Sequence, residues 1–205
     1  LKSYRLTIFD NLPRTGLPAE FQSYAEYQRH IQILINAGVM EDSTKIWWDL
    51  RPSARYPTLE TRIMDVCTRM DDAISLAALL VSTIRMLYRL RIKNQRWREY
   101  NPMLIRENRW RAMRYSFDEG LIDFGIGSIV PFEQLLDEFI ELTLEDAKSL
   151  GCESEVAATK DILSRGTSAH RQLKTYQLSI AAGKNNEDAL KDVVDMLITE
   201  TAEGL

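Results

Sequence analysis

The sequence predicts an α+β fold that is mostly helical, with a small antiparallel β piece followed by a C-terminal helical bundle. Two short runs near residue 50, "KIWWDLRP" and "PTLETRIMD", alternate apolar and polar side chains with a period of two, as half-buried strands do. A long apolar segment beginning at Asp71 repeats with a helical period. From residue 131 onward, amphipathic segments follow one another across connections of a few residues, which predicts antiparallel helical neighbours.

Taken in order, "SYAEYQRHIQILINAGV" opens with Ser23 three residues before Glu26, a capping-box pattern. Tyr27, Ile31, Leu34 and Ile35 then fall on one face, and Gly38 ends the helix. In the first strand run Trp48 and Leu50 share one face, with Trp47, Asp49 and Arg51 on the other. In the second, Leu59, Thr61 and Ile63 oppose Glu60 and Arg62. Pro52 and Pro57 suit the connecting turn and not a ladder interior. A sheet this small is expected to need partners.

The helix from Asp71 places Ile74, Ala77, Ala78, Val81, Ile84 and Tyr88 on a stripe that Leu76, Leu79, Leu80 and Leu87 widen, predicting burial on most sides. After "YNP", "MLIRENRWRAMRY" resumes as helix, and "GLIDFGIGSIVPF" holds a short extended piece between glycines. "PFEQLLDEFIELTLEDAKSLG" and "SEVAATKDILSRG" each begin with a helix-entry signal and end in glycine, and two more helices are expected at 168–182 and 186–202.

Composition is that of an ordinary globular chain, 45% hydrophobic and 27% charged. The longest nearly apolar run, "AISLAALLV", is short of the roughly 20 residues that span a bilayer, so no membrane partner is expected. Cys67 and Cys152 lie far apart without metal-type spacing, which suggests reduced thiols and a cytoplasmic location. His30 and His170 have no potential ligand at metal spacing and are assigned no chemistry. No glycine-rich phosphate loop is present; Gly125 and Gly127 lack a following Lys-Ser/Thr.

Net charge is −4, unevenly spread. Residues 85–114 carry ten Lys or Arg against two acids, whereas residues 115–205 carry seven against eighteen. The basic stretch "IRENRWRAMRY" could grip phosphates and stack bases, or could be an amphipathic helix with Trp110 and Met113 inward. Glu60 and Arg62 pose a parallel choice. A carboxylate and a guanidinium on one sheet face suit metal and phosphate chemistry, but spacing alone favours cross-strand ion pairing among Asp49, Arg51, Glu60 and Arg62. In "SRGTSAHRQL", a Thr167 or Ser168 helix cap accounts for the break at Gly166.

Read together, "WWDLRPSARYPTLETRIMDV", "ENRWRAMRYSFDEGLIDF", "LGCESE" and "RGTSAHRQL" occur in the order found in bacterial carboxylate-amine ligases of the type 2 glutamate-cysteine ligase group. "FDNLPRTGLPAEF" and "DVVDMLITET" are similar to that group as well, so the resemblance spans nearly all of the chain. It implies a glutamine synthetase-like sheet that binds ATP and Mg²⁺ or Mn²⁺. It also implies a reaction in which the γ-carboxylate of glutamate takes the γ-phosphoryl group of ATP and an amine such as cysteine displaces phosphate. On that basis Glu60 becomes the expected metal ligand, and Arg62 and Arg51 the catalytic phosphate or substrate partners. Asn108, Arg109 and Arg114 become expected cofactor contacts.

The group's pattern also has an N-terminal half with an acidic metal strand and an "H-x-H" stretch, neither of which occurs here. The chain, which starts at Leu1, is therefore expected to be the C-terminal portion of such a ligase. Residues 1–125 are assigned to the catalytic domain and 126–205 to a helical bundle packed on it. Alone it is expected to be inactive, with the missing half as partner and homo-oligomerisation an open possibility. The rival expectation is a non-catalytic helical module binding an acidic partner or nucleic acid through residues 85–114. The acidic tail makes nucleic acid the less expected partner.

Overall fold

The alternation around residue 50 is realised as a β-hairpin in a computed structural model that describes residues 1–203. The chain divides into two units, one formed by Leu1 with Ser3–Asp65 and the other by Lys2 with Val66 onward. This division follows contacts, a different criterion from the 1–125 and 126–205 partition drawn from motif order.

The first unit begins with a helix absent from the sequence reading, α1 (Tyr4–Phe9), whose N-terminus Ser3 caps through Oγ. Strand β1 (Thr15–Gly16) leads to α2 (Tyr24–Asn36), where Ser23 Oγ accepts from Glu26 N–H at 3.1 Å, as its spacing predicts. A 3₁₀ turn (Ser43–Lys45) precedes β2 (Trp47–Trp48), β3 (Leu50–Pro52) and β4 (Leu59–Thr61). Tyr27, Ile31, Met40 and Ile46 form the core of this unit, with Phe21, Leu34, Ile35 and Trp48 against it. The strands β3 and β4 pair antiparallel, with Arg51 opposite Glu60. The pairing of β1 with β2 is parallel, an unforeseen arrangement in which two residues from each strand take part.

The second unit is mostly helical. Its elements are α3 (Met70–Ile92), α4 (Pro102–Tyr115), the antiparallel pair β5 (Leu121–Asp123) and β6 (Ser128–Val130), and α5 (Phe132–Leu150). Then come α6 (Glu153–Ala157), α7 (Thr159–Arg165), α8 (Ser168–Ala181) and α9 (Asn186–Ala202). The extended piece between glycines is thus a full hairpin, turned by Asp123, whose Oδ1 accepts from Gly125 and Ile126 N–H. The segment 153–165, read as one helix, is two, meeting at Ala158.

Helix α3 corrects its expected orientation. The face packed within this unit carries Asp72, Ser75, Ala78, Ser82 and Met86, whereas Ile74, Val81 and Tyr88 of the expected core stripe are exposed. Small side chains let α3 approach α5 and α6 closely, and Ala78 meets Ala147 and Val156 there. Polar groups lock the same contact. Arg89 Nη2 donates to the buried Asp146 carboxylate at 2.8 Å, and Ser82 Oγ lies 3.5 Å from Cys152 Sγ. An 18-residue window of α3 reaches a mean hydropathy of 1.5, enough by length and composition to cross a membrane. Its ion-paired, polar inner face is that of a helix packed on protein.

Candidate functional site

The β3–β4 register sets Arg51 directly across from Glu60, and the period of two brings Arg62 to the same carboxylate. Arg51 Nε and Nη2 donate to Glu60 Oε2 at 2.9 and 2.8 Å. Arg62 Nη1 donates to Glu60 Oε1. Arg51 is further fixed by Nη1, which donates to the carbonyls of Thr44 and Ile46 at 2.7 and 2.5 Å. Its side chain is only 11% exposed. Arg62 is tied to the adjacent chain by its own N–H, which reaches the Asp49 carbonyl at 2.7 Å.

Two guanidiniums on one carboxylate leave the cluster with a net positive charge. Partial burial pushes the Glu60 carboxyl up, but the hydrogen bonds and charges of Arg51 and Arg62 outweigh it and hold the group below its ordinary value. Arg62 Nε is buried with no hydrogen-bond partner, a donor suited to an oxyanion. A divalent cation fits this donor set poorly. Both Glu60 oxygens are engaged by arginine, and no group of three or more potential ligands occurs among the described residues. A metal held by Glu60 requires further carboxylates from outside this chain.

The three residues of the basic helix lie apart from that cluster in sequence. Asn108 pairs its amide with the backbone of β5, donating to Ile122 O and accepting from Ile122 N–H, both at 2.8 Å. Arg114 lies 5.2 Å from the Tyr115 ring centroid, and Arg109 is half-buried. Trp110, which the amphipathic-helix alternative places inward, is 46% exposed. Several cations of the basic segment are drawn into intramolecular contacts: Arg85 and Arg89 on Asp146, and Arg111 on the carbonyls of Glu119 and Gly120. That engagement reduces what the segment can offer a nucleic acid.

A second charged cluster escaped the sequence reading. Arg171 Nε donates to Glu200 Oε1 at 2.5 Å and Nη2 to Oε2 at 3.0 Å, while Thr68 Oγ1 donates to the same carboxylate at 2.6 Å. Arg165 Nη2 reaches the buried Asp72 at 2.5 Å. Burial raises Glu200, yet the Arg171 and Thr68 hydrogen bonds prevail and lower it. Cys67, beside this cluster, is pushed up by burial and by the nearby Asp72 charge. The acidic partner of Arg171 lies 29 residues on, beyond any local pattern. Thr167 caps α8 in a box with His170, as the break at Gly166 suggests, and His170 Nε2 also meets Asp118 at 2.9 Å.

Comparison with known proteins agrees with the order of these segments. The family model of glutamate-cysteine ligase family 2 matches residues 1–196. A protein of Rhodospirillum rubrum is 57% identical over 205 residues, all of this chain and 53% of its own length. A protein of Jannaschia sp. is 55% identical over 200 residues, and one of Sorangium cellulosum 42% over 205. All three carry the provisional name glutamate–cysteine ligase 2. The chain spans about half the length of these relatives. With a match extending from residue 1 to residue 196, the chain belongs to the glutamate-cysteine ligase family 2.

Proposed function

We propose that this chain is the C-terminal portion of an ATP-dependent carboxylate-amine ligase that forms a γ-glutamyl amide from glutamate and an amine such as cysteine. The observation that carries the reading is the Arg51–Glu60–Arg62 cluster, placed by a hairpin in a chain of this family. Phosphoryl transfer depends chiefly on positioning and charge neutralisation, and a net-positive cluster with an orphaned arginine donor supplies both.

The three side chains divide the work. Arg51, committed to Glu60 and two backbone carbonyls, is a positioning residue. Arg62 is the cation that meets the transferred phosphoryl group or the acyl phosphate oxygens. Glu60 orients both guanidiniums. ATP is the phosphoryl donor, with Mg²⁺ or Mn²⁺ accompanying it on ligands supplied mainly by the remainder of the enzyme. Within the second unit Asn108 holds α4 on β5, and it is proposed with Arg109 and Arg114 as a nucleotide contact. The ligase is cytoplasmic, and this chain alone does not turn over.

A chimera tests the proposal: the matched region of the Rhodospirillum rubrum relative is replaced by these 205 residues. Assayed with glutamate, cysteine, ATP and Mg²⁺ beside the unaltered relative, it should release phosphate and form γ-glutamylcysteine. Glu60→Ala should abolish turnover. A relative that turns over beside a chimera that does not, or a fully active Glu60→Ala variant, sinks the reading.

A further inference from the structure

Arg14 belongs to "FDNLPRTGLPAEF", a segment with no part in the candidate site as described so far. Its φ is +61°, in the left-handed region that residues with a Cβ rarely adopt and that persists where surrounding contacts over-determine it. Two bonds hold it there. The Arg14 carbonyl accepts from Trp47 N–H at 2.8 Å, and Arg14 Nε donates to the Lys45 carbonyl at 3.1 Å. A turn that needed only this backbone conformation would be served better by glycine, so the side chain is what Arg14 contributes.

The Lys45 carbonyl is the middle one of three. Those on either side, of Thr44 and Ile46, both accept from Arg51 Nη1. Three successive carbonyls are therefore held by two arginines, Arg14 on the middle one and Arg51 on the outer two. Strand β1 also reaches the other arm of the cluster. Gly16 O accepts from Asp49 N–H at 2.8 Å, and Asp49 O accepts from Arg62 N–H at 2.7 Å. Every residue of this brace lies in the first unit.

We propose that Arg14 is a positioning residue for the Arg51–Glu60–Arg62 cluster, fixing through the Lys45 carbonyl the two neighbouring carbonyls that aim Arg51. Its effect on turnover rests on the ligase reading above, whereas the brace itself does not. Peptide planes are rigid, so a shift at Lys45 moves the adjoining oxygens that Arg51 Nη1 meets. Arg51 carries the displacement to Glu60 Oε2, and Glu60 carries it to Arg62. A misplacement of ~1 Å at reacting groups can cost on the order of 100-fold in rate. The 3₁₀ turn keeps its own support without Arg14, because Asp42 Oδ1 accepts from Thr44 N–H at 2.7 Å and Ile46 is buried in the core of the unit. Arg14→Gly removes the clasp while easing the left-handed backbone, so this variant is expected to fold.

The test follows the Nε–H resonance of Arg51 by NMR in the intact chain, in Arg14→Gly and in Arg14→Lys. Arg14→Gly should leave the circular dichroism unchanged yet speed exchange of that proton with water at least tenfold. Arg14→Lys retains a donor for the Lys45 carbonyl and should bring exchange back to within threefold of native. Placed in the chimera, Arg14→Gly should lower kcat at least tenfold with KM for glutamate and ATP within twofold, and Arg14→Lys should restore most of that rate. An unchanged Arg51 resonance in Arg14→Gly overturns the proposal. So does a rise in KM in place of the fall in kcat, or an Arg14→Lys variant as impaired as Arg14→Gly, since either marks direct substrate contact. The resonance is read without turnover, so an inactive chimera sinks the ligase reading and leaves the brace standing. Unchanged exchange beside an active chimera refutes the role of Arg14 alone.

Discussion

Arg51 and Arg62 grip opposite oxygens of Glu60, the first through Nε and Nη2 on Oε2 and the second through Nη1 on Oε1. Their environments differ, because Arg51 also donates to two backbone carbonyls while Arg62 keeps a buried Nε with no acceptor. One guanidinium is built into the unit and the other retains capacity for a ligand.

That asymmetry predicts different outcomes for the same substitution. Arg51→Lys cannot reproduce a forked contact and two carbonyl bonds, so it should destabilise the chain by about 1–2 kcal/mol in urea unfolding. Arg62→Lys should cost less than about 1 kcal/mol, since its partner Glu60 is substantially exposed. In the chimera, Arg62→Lys should lower kcat at least tenfold. Equal stability losses in the two variants would contradict the division of roles.

Glu200 and Arg171 provide a second measurement. Both are largely buried, at 12% and 15% exposure, and truncating one partner of such a pair costs about 3–5 kcal/mol. Glu200→Ala should fall near the lower end, because Arg171 keeps its bond to the Gly166 carbonyl. Combining it with Arg171→Met should cost less than the sum of the two single changes. A double-mutant cycle with strictly additive losses would show that the pair does not couple.

The same carboxylate makes stability pH-dependent. Glu200 is held below its ordinary value of about 4.5, so the folded state binds its proton less readily than the unfolded chain. Its contribution is complete above that ordinary value and is lost as pH falls through the lower folded value. Denaturation midpoints at successive pH values should therefore drop more steeply on the acid side for the native protein than for Glu200→Gln. Parallel acid limbs would exclude this linkage.

Gly120 has a φ of +65°, and a Cβ there would sit 2.1 Å from the Val130 carbonyl oxygen. The obstacle is the backbone of β6, which cannot swing aside as a side chain can. Gly120→Ala should lower stability by about 2–4 kcal/mol in thermal or urea unfolding, with the β5–β6 hairpin as the first element to lose amide protection. A change below 0.5 kcal/mol would mean that the hairpin shifts without penalty.

Elements specified by neighbouring residues were legible in the sequence. The capped α2, the hairpin that opposes Arg51 to Glu60, and the breaks at Gly151 and Gly166 all follow from contacts within about ten positions. Helix α3 was legible as a helix but not in its orientation. Periodicity finds an apolar stripe without telling whether its cover lies in the same chain, and here Ser75, Ala78 and Ser82 face inward instead. At the candidate site the charged residue types were legible, while neither the carbonyls that fix Arg51 nor the orphaned Nε of Arg62 could be read from a side-chain pattern. The Arg171 cluster was invisible for a simpler reason. Thr68 lies 132 positions from Glu200.

The Arg51–Glu60–Arg62 cluster and the carbonyls that steady it lie wholly between residues 44 and 62. Closing so short a loop carries little chain entropy, so this corner has low contact order and can organise early in folding. The Glu200 lock must bring together residues more than a hundred positions apart and belongs to late consolidation. The charges assigned to chemistry thus assemble under local control, and the later-forming lock serves to keep the helices in place once they have met.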